Sequence, residues 1–135
     1  MKRLLTLALF AVLLLPAVAQ ELTVATYNIR NANKGDAERG NGWERRCPWV
    51  CGLIEFQGFD IFGSQEVLDG QLHDMLAQLP DYAYIAVGRD DGKEAGEYCP
   101  IFFRTNRFTL VEYGNFSLSE QPETIGIKGW YGSYN

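Results

Sequence analysis

A chain of 135 residues that is 47% hydrophobic has enough apolar material for one buried core and too little length for two domains. Its 17 acidic against 12 basic side chains give a net charge of −5, so polyanions such as long nucleic acid are repelled unless a basic patch or bound cations compensate. One histidine, His73, and three cysteines, Cys47, Cys51 and Cys99, argue against a histidine- and cysteine-based metal cluster.

The amino terminus reads as an address. Lys2 and Arg3 precede the apolar run Leu4 to Leu15, too short for a comfortable membrane span, and Ala17-Val18-Ala19 supplies a small-x-small cleavage site. Residues 1–19 are therefore expected to be a signal peptide cut before Gln20, which sends the rest to a secreted or periplasmic location. No cysteine follows the site, so no lipid or other stable membrane anchor is expected, and no protein partner is evident. Loss of Lys2 and Arg3 makes the remainder more acidic still. With three cysteines at most one internal disulfide can form, and a Cys47–Cys51 link would be strained along one helix face, so small buried thiols are the expected state.

Leu22 to Tyr27 is rich in strand formers and delivers Asn28 to a strand end. Asn31 to Gly42 shows no hydrophobic period and reads as an exposed loop. Trp43, Cys47, Val50, Cys51 and Ile54 recur at helical steps, with Pro48 tolerable only near the first turn, Arg45 and Arg46 outside as solvated charges, and Gln57-Gly58 as the stop. Ile61-Phe62 reads as a short buried strand that Gly63 ends, leaving Glu66 at its C-terminal edge. Leu68, Leu72, Met75, Leu76 and Leu79 then mark an amphipathic helix stopped by Pro80, with His73 off the stripe as a surface residue. Tyr82 to Val87 is a further strand, followed by the polar loop Gly88 to Gly96, of a length that often carries function. Cys99 to Arg104 and Phe108 to Tyr113 form two strands joined as a hairpin by Thr105-Asn106-Arg107, and Phe116 to Leu118 extends the edge; Ser119 to Asn135 shows no element. Alternating elements followed by hairpins predict an α/β layered sandwich with a mixed β-sheet.

Two polar residues thus sit at strand ends, the edge of an α/β sheet where ligands bind. Glu66 suits metal or substrate work, or else caps the helix that follows. Asn28 has a donor and an acceptor to orient a catalytic acid or bind a phosphate oxygen, or else steadies a turn. Arg30 shares its side of the strand and could meet a phosphate, as well as an outward salt bridge. Glu97 stands just before an apolar strand.

Tyr27-Asn28-Ile29-Arg30, Gly63-Ser64-Gln65-Glu66-Val67, Gly96-Glu97 with Pro100-Ile101-Phe102, and Phe116-Ser117-Leu118-Ser119-Glu120-Gln121-Pro122-Glu123 together resemble the endonuclease/exonuclease/phosphatase superfamily, which includes pancreatic-type deoxyribonuclease. The resemblance runs from Thr23 to about Trp130. It implies a Mg²⁺-dependent phosphoesterase, with Mn²⁺ or Ca²⁺ as alternatives, in which Glu66 holds the metal, Asn28 and Glu97 are catalytic, and Arg30 contacts substrate. In the deoxyribonucleases the residue matching Glu97 orients the catalytic histidine, since a carboxylate on one ring nitrogen fixes the tautomer. The substrate would be a phosphate ester, nucleic acid or a smaller sugar or lipid phosphate, and the acidic composition favours the smaller ones. In that superfamily the catalytic histidine, an Asp-x-Asn pair and a final Asp-His lie further along, and no residue here matches them. Residues 20–135 are accordingly expected to be an incomplete N-terminal half of a four-layer α/β/β/α domain, poorly stable and inactive alone. The alternative is a non-catalytic binding or interaction module on the same scaffold.

Overall fold

The computed structural model of the chain describes residues 20–127 and 129. The proposed signal peptide lies outside them, and among them no helix is long and apolar enough to cross a membrane. Strand β1, Val24–Asn28, begins where the Thr23 amide donates to Asp60 at 2.8 Å. Its Val, Thr and Tyr side chains suit a pleated surface.

The segment from Asn31 to Gly42 is not the open loop that its lack of periodicity suggests. It contains helix α1, Lys34–Glu38, whose N-cap Asn33 accepts from the Asp36 amide. Asp36 is buried and bound by the side chains of Arg30, Asn33 and Arg39. A polar nucleus of this kind leaves no hydrophobic signature in the sequence.

Helix α2, Trp43–Gln57, turns Trp43, Cys47, Val50, Cys51 and Ile54 inward as their spacing predicts. Pro48 lies past the first turn, deeper than expected; the helix continues although proline has no N–H to give the Glu44 carbonyl. Gly58 ends it at φ 62°, a left-handed conformation that glycine adopts without a Cβ clash. Arg46 is no solvated charge: it donates to the carbonyls of Ile29 at 2.6 Å and of Arg30, Asn31 and Asn41 at 3.1 Å each.

Strand β2, Ile61–Gln65, runs through Gly63 rather than stopping there, because a backbone ladder needs no side chain. It pairs in parallel with β1, from Val24 against Ile61 to Asn28 against Gln65. Helix α3, Asp69–Gln78, packs on α2, with the Trp43 indole donating to Asp74 at 2.8 Å. Strands β3, Tyr82–Ile85, and β4, Ile101–Arg104, complete a mixed sheet of order β1-β2-β4-β3.

The expected hairpin after β4 does not form, and Phe116 to Leu118 adds no edge. β4 already pairs antiparallel with β2 on one side and β3 on the other, so no ladder remains open to Phe108–Tyr113. The core is aromatic at its centre: Phe62 stacks on Phe102 with centroids 4.7 Å apart, and Tyr82 meets Phe62 edge-on. Cys47 and Cys51 are buried free thiols, and burial pushes Cys51 up to about 12; Cys99, expected buried, is exposed. The opposite sheet face stays open, with Val24 63% and Ile101 48% exposed.

Candidate functional site

The ends of β1 and β2 leave the sheet side by side through the same unusual backbone turn. Arg30 and Glu66 both sit at φ 59°, where a side chain other than glycine's crowds the backbone. Such excursions persist only where surrounding contacts enforce them, and they gather at functional sites. Here the enforcing contacts are visible. Ser64 donates its hydroxyl to the Tyr27 carbonyl at 2.7 Å, the Ile29 amide reaches the Gln65 carbonyl at 3.3 Å, and Arg46 gathers the carbonyls just beyond β1.

Turned in this way, Glu66 does not cap α3. Its carboxylate accepts from Asn28 Nδ2 at 2.9 Å and from the Asn31 amide at 3.3 Å. Those two donors, Asn28 foremost, hold its pKa below the ordinary carboxylate value and keep it anionic. The helix start is served by Gln71 instead, which is buried, accepts from the Leu68 and Ala32 amides and donates to the Arg30 carbonyl. Asn28 uses its other end locally, its Oδ1 accepting from the Arg30 amide at 2.9 Å.

Asn31 extends the chain of bonds. Its Nδ2 donates to Glu97 Oε1 at 2.8 Å, and Arg89 Nη1 donates to Glu97 Oε2 at 2.9 Å. The three residues singled out from the sequence for metal binding and catalysis, Asn28, Glu66 and Glu97, therefore lie on one hydrogen-bonded rim. Glu97 is held by an amide and a guanidinium in place of the imidazole that the resemblance implies. Arg30 stands apart from them in its contacts: its guanidinium is taken by Asp36, at 3.0 Å from Nη2 to Oδ1 and closer through Nε, which is the salt-bridge alternative. His73 is a surface residue, 3.6 Å from Asp69.

Asn31, Arg46 and Arg89 were not singled out. The run Asn28-Ile29-Arg30-Asn31-Ala32-Asn33, with three asparagines in six residues beyond a strand, was the available signal for Asn31. Arg46 carries no local mark, since its partners are backbone carbonyls.

The donor set fits a hard divalent cation. Such ions take one or two carboxylates and keep several waters, so an anionic Glu66 at an open rim is sufficient protein ligand. No group of three His, Cys, Asp or Glu side chains that could hold a metal ion gathers among the described residues, so Glu66 would be the carboxylate that meets such a cation. A cavity of about 600 Å³ opens beside Glu97 and Arg89, bounded by Val87, Cys99, Phe116 and Leu118; Asn28 and Glu66 lie outside its lining.

No family model matches the chain. Solved structures do. The chain is 51% identical to an endonuclease/exonuclease/phosphatase family protein from Bacteroides thetaiotaomicron, with TM-score 0.81 over 84% of this chain and 41% of that one. It is equally identical, at TM-score 0.82, to a mannosyl-6-phosphatase of the same organism, over 84% of this chain and 42% of the phosphatase. A family member from Bacteroides vulgatus is 40% identical over 86% of this chain and 44% of its own, at TM-score 0.81. An uncharacterized protein of Acanthamoeba polyphaga mimivirus is 30% identical over 93 residues, 14% of its length. The chain thus spans less than half of the solved proteins it matches. By sequence and fold together it is similar, over 84% of its length, to solved endonuclease/exonuclease/phosphatase family proteins and carries part of their α/β fold.

Proposed function

We propose that the protein to which this chain contributes is an exported, Mg²⁺-dependent phosphoesterase that hydrolyses a small sugar phosphate. The observation that supports it most is the rim itself: an anionic carboxylate at a strand end, held by Asn28 and Asn31 and linked through Asn31 to Glu97 and Arg89. The mannosyl-6-phosphatase at 51% identity favours a sugar phosphate over nucleic acid, as does the net charge of −5.

Glu66 would hold the cation, and a bound Mg²⁺ would neutralise charge on the phosphoryl oxygens. Asn28 keeps Glu66 ionised and correctly aimed. Glu97 is the acceptor available to orient a proton-carrying group from the family's remaining length. The chain's one histidine, His73, is engaged at the surface, so residues 20–135 alone supply a binding half-site and no turnover.

Calorimetric titration of Mg²⁺ tests this reading. Glu66→Gln, which keeps shape and removes charge, is expected to weaken Mg²⁺ at least tenfold while the circular dichroism spectrum stays that of the parent. Equal Mg²⁺ affinity in the two proteins would exclude Glu66 as the ligand.

A further inference from the structure

The cavity beside Glu97 shares Glu97 and Arg89 with the rim just described and extends beyond it, away from Asn28 and Glu66. Its lining comes from two distant stretches, residues 86–99 and residues 115–118, 125, 127 and 129, and the loop Gly88–Gly96 is built against the second of them. Gly126, at φ 88°, approaches so closely that a Cβ there would lie 2.4 Å from the Asp90 carbonyl oxygen. Gly92, at φ 70°, meets Ile125 in the same way, with a Cβ placed 3.3 Å from that of Ile125. The loop is also closed from within: Asp91 accepts from the amides of Lys93 at 2.7 Å and Ala95 at 3.0 Å, and the Asp90 amide donates to the Ala95 carbonyl. Paired close approaches of this kind make a shaped recess rather than a gap between loose loops.

Its size falls within the range of small-molecule pockets, roughly 300–1,000 Å³, and below what a nucleic acid duplex needs. Its chemistry is mixed. Val87, Phe116, Leu118 and Ile125 give apolar surface, and Phe116 presents an open ring, 71% exposed. There Arg89 donates to Glu97 at 2.9 Å and lies 3.4 Å from Asp90, which sets a planar guanidinium among carboxylate acceptors on the cavity wall. Polar groups of both kinds next to an aromatic face suit a ligand that alternates hydroxyls with C–H faces.

We propose that this cavity is the subsite for the hydroxylated ring of the ester, with Arg89 as the specificity-determining residue on its wall. The assignment rests on the phosphoesterase reading above and adds where the organic part of the substrate sits. The phosphoryl group would then lie toward Glu66, with Glu97 and Asn31 between the two.

The test compares binding of mannose 6-phosphate with that of inorganic phosphate, each with Mg²⁺, to the purified chain by calorimetry. Leu118→Trp fills the recess, Phe116→Ala removes its ring and Arg89→Lys removes the planar fork; Leu118 and Phe116 are exposed, so those two variants keep the fold. Each variant is expected to lower the ratio of the two affinities at least tenfold. If the ratio is unmoved in all three while Glu66→Gln abolishes both ligands, the subsite is overturned and the phosphoesterase reading stands. If neither ligand responds to Glu66→Gln, both fall together.

Discussion

Glu66 is a single carboxylate whose position, orientation and charge state come from three different sources. β2 places it, the left-handed turn at φ 59° aims it, and Asn28 with the Asn31 amide keeps it ionised. Removing the stronger donor separates these contributions. In Asn28→Ala the carboxyl pKa of Glu66 is expected to rise toward its ordinary 4.5, read from the carboxyl carbon shift in an NMR titration; an unmoved value would show that Asn28 does not set the charge. The sequence shows Asn28, Glu66 and Glu97 because each sits beside a recognisable strand and within a short motif. It hides Asn31, which joins Glu66 to Glu97, because its partners lie 35 and 66 residues away.

The elements divide along the same line. α2, α3 and the first two strands are legible because their apolar residues repeat at the spacing of the structure they form. α1 is hidden because a buried Asp36, not a hydrophobic stripe, organises it. The expected hairpin after β4 is absent since alternation signals a strand without naming its neighbour, and both edges of β4 are already taken. Pro48 is a third kind of case, a local rule overridden by packing on both sides of it, at Cys47 and Val50. Its side chain is exposed, so Pro48→Ala restores an N–H for the Glu44 carbonyl without disturbing the core. That variant is expected to gain about 1–3 kcal/mol in urea unfolding.

At the scale of the molecule, two buried carboxylates tie strand starts and turns to arginines. Arg30 with Asn33 and Arg39 holds Asp36 well below the usual carboxylate range, and the Thr23 amide with Arg107 lowers Asp60. Because both folded values lie below the ordinary 3.8, their stabilisation is fully present above that value. It is lost as acid protonates them in the folded state. The urea midpoint is therefore expected to fall steeply between about pH 5 and about pH 2, and replacing either aspartate by asparagine flattens that fall.

The open sheet face has its own consequence. Val24 and Ile101 stand exposed on it beside half-buried Ile61 and Phe103, and a patch of that kind drives association. The purified chain is expected to sediment faster as its concentration rises, and Val24→Lys with Ile101→Lys to abolish that dependence. A third consequence belongs to Asn31. Since one asparagine touches both Glu97, at the proposed recess, and Glu66, the proposed cation ligand, a displacement of Glu97 is expected to reach Glu66 through two hydrogen bonds. The acidity of Glu66 is therefore expected to shift when the neighbouring recess is filled, an outcome that the same NMR titration reads.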